Sequence, residues 1–171
     1  MFELIFKTIS SRISWRGLLG GLLAAVIAIS AVAPAARAQQ FDKDNLTGMD
    51  FSGRDFSGGN FVQTNLRDAT LKGTNFTGAL MFGVFLDGAD LEGANFSYAT
   101  LDSAHFNNAN LRDAVLEGAF AFNATFNGAE IEGADFTDVP MRDDQLRALC
   151  KVAAGTNSIT GRDTFDTLLC P

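Results

Sequence analysis

Few side chains in this sequence of 171 residues could carry chemistry. There is one histidine, His105, and there are two cysteines, Cys150 and Cys170. His105 has no cysteine, second histidine or glutamate pattern beside it, so nothing marks it as a metal ligand or proton carrier. It reads as a surface residue. The chain has no Ser-His-Asp or Cys-His set, no phosphate-cradling glycine loop and no zinc-type spacing. Aspartate and glycine recur, but in a register of five that lacks the calcium-binding nonapeptide and EF-hand patterns. The expectation is a protein with no catalytic residues, no cofactor and no metal.

What would position any functional side chain is a single periodic stretch, Asp44 to Asp138. A large apolar residue returns there every fifth position: Leu46, Phe51, Phe56, Phe61, Leu66 and so on to Phe136. Only Met81, Ala121 and Ile131 depart from Leu or Phe among these centres. Two residues before most centres sits a small residue, which is Ala at every such position from Ala89 to Ala134. Two residues after it comes a turn former, mostly Gly, with Asn or Asp at most of the rest.

Neither a helix nor a flat strand explains a period of five. Steps of five on a helix scatter the apolar positions around its circumference, and a half-buried strand needs returns of two. Residues two apart in extended backbone, however, point to the same side. Each block is then a short extended piece with one small and one large side chain inward, followed by a bend that Gly, Asn and Asp tolerate. A chain bending the same way after every block winds into a β-solenoid.

Blocks such as Ala89-Asp90-Leu91-Glu92-Gly93 and Ala94-Asn95-Phe96 resemble the A(D/N)LXX motif of pentapeptide-repeat proteins. The resemblance implies an all-β fold, a right-handed quadrilateral β-helix (solenoid) with four blocks per coil and hence about five coils. Every fourth centre would then stack. One ladder would be Phe56, Phe76, Phe96, Leu116 and Phe136; the weakest would be Phe61, Met81, Leu101 and Ala121, completed by Met141. The repeat is a way of building a core and names no function.

Residues 1–38 read as a signal peptide. Lys7, Arg12 and Arg16 precede an apolar run from Gly17 to Ala33, and Ala36-Arg37-Ala38 offers a small-residue cleavage site. The other reading is an uncleaved anchor, since the run approaches the length of a span. Cleavage leaves residues 39–43 as a lead-in, 44–138 as the solenoid and 139–171 as a cap. No stable membrane insertion is expected after cleavage. The chain without residues 1–38 has 9 basic and 19 acidic residues, a net charge of −10. That balance disfavours nucleic acid as a partner.

The tail changes character at Val139-Pro140. Leu146, Leu149, Cys150 and Ala153 recur at helical spacing over 143–153, with Asp143 as the expected N-cap and Gly155 as the stop. A second segment, 163–170, is a shorter helical candidate. Two cysteines in the tail of an exported chain point to a Cys150–Cys170 disulfide, with a redox-responsive pair as the alternative. The run Leu149 to Asn157, with Thr160-Gly161 and Leu168-Leu169-Cys170, resembles the tail of thylakoid-lumen pentapeptide-repeat proteins. That likeness implies delivery to the thylakoid lumen or, in a cyanobacterium, the periplasm.

Five apolar residues break the polar outward series: Leu80, Phe82, Phe85, Phe120 and Phe122. In register four of them share one side, with Phe85 just around the bend, and together they form a candidate patch for an unidentified protein partner, interrupted by Thr100 and Asp102. Alternatively the chain turns Phe120 and Phe122 inward and fills the space at Ala121. The near end of the solenoid, bare but for residues 39–43, is the expected surface for a homodimer. The functional expectation is a non-enzymatic binding or scaffolding module. Its rival is an acidic DNA mimic that inhibits a topoisomerase.

Overall fold

From Gln40 to Asp135 the backbone pairs with itself at one fixed interval. In the computed structural model, which describes residues 39–171, Asn75 bridges Asn95, Asn95 bridges Val115 and Val115 bridges Asp135, all in parallel and all twenty residues apart. Blocks of five with a return of twenty place four blocks in each turn. The bridging residue is the one before each centre, and two hydrogen bonds hold it to the preceding turn. Asn75 N–H donates to Arg54 C=O at 2.9 Å, and Asn75 C=O accepts from Phe56 N–H at 2.8 Å. Each straight piece is too short to count as a named strand, so the ladder consists of single bridges.

The corners follow one rule with one exception. The third residue of each turn, from Lys43 to Asp138, is left-handed at every corner except Asn123. Gly serves most corners because that backbone region costs a residue with a Cβ about 1–2 kcal/mol. Tyr98 and Gln63 adopt it nonetheless, with φ of 59° and 55°. The ring of Tyr98 lies over Gly118, where an added Cβ would sit 2.8 Å from it. Outward Asn and Asp side chains tie the bends down, as when Asp50 Oδ1 accepts from Ser52 N–H at 2.9 Å.

Inside, small and large residues alternate and are almost wholly buried from Phe56 to Phe136. Stacking every twentieth residue is direct: Phe76 and Phe96 lie 5.1 Å apart at 9°, and Phe106 and Phe126 lie 5.1 Å apart at 1°. Burying a Phe or Leu is worth roughly 1.5–3 kcal/mol, so these ladders dominate the fold.

The column starts one block earlier than the spacing suggests. Residues 39–43, read as a lead-in, form a block of their own. Gln40 bridges Asn60, Lys43 closes a left-handed corner, and the Phe41 ring stacks on Phe61 at 4.9 Å. The inward small positions of this first layer are held by Asp44, Met49 and Arg54, and all three are exposed at the open end.

The far end is closed by the tail. Helix α1 spans Asp143–Leu149 and helix α2 spans Thr164–Thr167. Two boundaries differ from the expectation. Arg142, not Asp143, occupies the N-cap of α1, and no side chain caps it. That helix ends at Leu149, well before Gly155, because the chain must turn back to bring Cys150 to Cys170. Asp163 is the true cap of α2, accepting from Phe165 N–H at 2.9 Å. The Cys150–Cys170 disulfide is present, joining the two segments. The expected signal peptide lies outside the described residues.

Candidate protein-binding face

The outward positions on three sides of the column are mostly polar, and many engage one another. On one side Lys72 Nζ reaches Asp90 at 3.1 Å and Glu92 at 2.9 Å, while Arg112 Nε reaches Glu130 at 3.2 Å. The acids Asp90, Glu92 and Glu130 therefore sit beside cations from the adjacent turn, and this side is not the continuous anionic strip a DNA mimic needs. The two carboxylates hold the Lys72 ammonium above its usual pKa. On a second side Asn75 Nδ2 donates to Asp55 Oδ1 at 2.9 Å.

The side carrying residues 80–82 and 120–122 differs. Leu80, Phe82, Phe120 and Phe122 are 50%, 45%, 51% and 47% exposed, while Met81 and Ala121 between them are completely buried. Phe120 and Phe122 thus do not turn inward to fill the space at Ala121, and that alternative is excluded. Two apolar ridges stand outward two turns apart, about 10 Å at the usual strand spacing.

At the corner that follows the second ridge the backbone holds an irregularity. Asn123 is the corner residue that avoids the left-handed region. Its N–H and its Nδ2 both donate to Asp102 Oδ1 at 3.1 Å. Asp102 is thereby committed to bracing the Phe120–Phe122 corner. Nothing local in the sequence announced this, because Asn at that position is also a good left-handed residue.

Phe85, the fifth member of the sequence-based patch, belongs elsewhere. It is half-buried, with the Arg67 guanidinium 4.3 Å above its ring and the His105 imidazole stacked on it at 5.1 Å. Arg67 is also paired with Asp87 at 3.1 Å. That stack is occupied by its own neighbours, so the open face reduces to four side chains. Among the described residues no group of His, Cys, Asp or Glu is arranged to hold a metal.

The cap carries residues that sequence reasoning missed. Asn157 is buried; its Nδ2 lies 2.8 Å from Gly133 C=O and 3.1 Å from Asp113 C=O, and its Oδ1 accepts from Ile159 and Thr160 N–H. Arg162 reaches Glu117 at 3.0 Å and the fully buried Asp135 at 3.1 Å. Burial pushes the Asp135 carboxyl upward, but the hydroxyl and N–H of Thr137, the Thr160 hydroxyl and the Arg162 charge together outweigh it. Its pKa lies below the ordinary value. Three groups in the tail replace a missing next turn: Gln145 Oε1 accepts from Phe126 N–H, Ala154 C=O from Gly133 N–H, and Thr167 Oγ1 from Phe136 N–H.

A family model for pentapeptide repeats matches residues 45–81, 82–113 and 104–143. The chain belongs to the pentapeptide-repeat family. It is 48% identical to a pentapeptide repeat protein from the Arabidopsis thaliana thylakoid lumen, over 72% of this chain and 89% of that one, with a TM-score of 0.48. A pentapeptide repeat protein from Nostoc Pcc 7120 is 28% identical, with 60% of this chain and 84% of that one covered at a TM-score of 0.52. Thylakoid lumenal 15 kDa protein 1, chloroplastic, from Arabidopsis thaliana is 69% identical over 35 residues. That match spans 20% of this chain and 16% of the relative's length. The expected family resemblance therefore holds.

Proposed function

We propose that this pentapeptide-repeat protein is a non-enzymatic binding or scaffolding module that works outside the cytosol, in the thylakoid lumen or the periplasm. In this reading it is a right-handed quadrilateral column of about five coils with a small α-helical cap. The column presents one face to a protein partner. The observation that carries the reading is the pair of outward ridges, Leu80 with Phe82 and Phe120 with Phe122, each about half exposed over a fully buried centre. Aromatic side chains fixed on a rigid ladder lose little conformational freedom on binding, which favours them as anchors. The partner is a protein surface offering apolar side chains about 10 Å apart, with a polar group between them to meet Thr100. Likeness to lumenal proteins of Arabidopsis thaliana supports the compartment.

The test replaces Leu80, Phe82, Phe120 and Phe122 by Ser together. Affinity capture from the native compartment should lose one specific partner while the far-UV circular dichroism stays unchanged. An identical set of captured proteins would refute the face.

A further inference from the structure

The near end of the column carries its own recognition pattern, independent of the aromatic face. Four short edges bound it: 39–41, 44–46, 49–51 and 54–56. In the next layer, Asn65, Thr70 and Asn75 N–H groups donate to Asp44, Met49 and Arg54 C=O. Among the described residues, their counterparts one layer down, Asn45, Asp50 and Asp55, have no such acceptor for their own N–H groups. Unpaired edges of this kind invite another strand. At the corners of the square stand Asp44, Met49 and Arg54, where later layers carry Thr, Val or Ala. Met49 is 46% exposed, and among the described residues neither Asp44 nor Arg54 makes an ion pair. Arg54 and Asp44 occupy opposite corners.

We infer that two copies of this chain meet head to head through this end, about a two-fold axis that passes through the Met49 corner. A square end offers four such axes. One places Asp50 against Asp50, a second places Asp55 against Asp55, and a third sets Asp44 against Asp44 and Arg54 against Arg54. The remaining axis brings Asp44 under Arg54 of the second copy twice over and Met49 onto Met49. It also sets Asn45 against Asp50 and Asp55 against Gln40. All four edges then run antiparallel to their counterparts, the sense in which two such edges can exchange backbone hydrogen bonds. A two-fold interface is self-complementary by necessity, and this arrangement of charges is self-complementary about one axis alone. The end of one column is small against a standard interface, so the dimer is weak and concentration-dependent.

Sedimentation equilibrium of the exported, processed chain tests this. The expected result is a reversible dimer with a dissociation constant in the range of about 1–100 μM. Arg54→Asp and Asp44→Arg should each weaken it at least about tenfold, an effect of about 1.4 kcal/mol. The double variant, D44R with R54D, should restore it. Both positions are exposed, so circular dichroism should not change. A monomer up to about 1 mM overturns the inference. So does a dimer that survives both single reversals, or one abolished by the four Ser substitutions on the aromatic face. The last outcome would also assign that face to self-association; the first two leave it untouched.

Discussion

The two ends of the column solve the same problem in opposite ways. Both present backbone that lacks a neighbouring turn. At the far end the tail folds back, and Gln145, Ala154 and Thr167 provide the missing acceptors while Asn157 and Arg162 pin the loop to buried groups. A disulfide then fastens the two helical segments. At the near end, among the described residues, Phe41 folds across the core, and the corner positions become Asp44, Met49 and Arg54. One end is closed by the tail. The other, among the described residues, carries the exposed side chains of Asp44, Met49 and Arg54.

The difference can be broken from the far end first. Replacing Cys150 and Cys170 together by Ser should cost about 3 kcal/mol, the loop-closure value for about twenty residues. Urea unfolding should show it as a lower midpoint. Phe41→Ser at the near end should cost less, about 1–2 kcal/mol, because that ring is only half-buried. Equal losses at both ends would mean that the cap adds nothing beyond covering apolar surface.

A smaller effect sharpens the contrast through pH. Asp135 has a depressed pKa in the folded state, so its contribution to stability is present above the ordinary aspartate value of 3.8 and fades as pH falls through the lower folded value. The cap should therefore loosen on acidification below about pH 4. Amide exchange around Asn157 and Gly133 should quicken there before exchange in the middle turns does. Asp135→Asn should flatten this pH dependence; an unchanged profile would remove Asp135 from the account.

The column was legible because its information is local and repeated. A missing side chain in one block is corrected by its neighbours, so Ala121 and Met81 did not obscure the period. The first block escaped notice because its inward position is Gln39 and only Phe41 marks it as a repeat. Contacts at the cap were hidden for a different reason. Asn157 binds carbonyls 24 and 44 residues away, and Arg162 meets Asp135 27 residues back, with no periodic signal linking them. Leu80, Phe82, Phe120 and Phe122 point outward, as their register implies. Phe85 lies around the bend from those four, but register gives direction and not company: Arg67 and His105 close over it from neighbouring positions. The expected N-cap at Asp143 failed by one residue, where extended backbone at Arg142 takes the role.

All of these assignments depend on the twenty-residue return. The most direct measurement of it is the nuclear Overhauser contact between assigned aromatic rings in solution. Strong cross-peaks should join Phe76 to Phe96 and Phe106 to Phe126, whose centroids are 5.1 Å apart. Absence of both, with Phe76 contacting residues at some other interval instead, would contradict the coil and with it the faces and ends built on it.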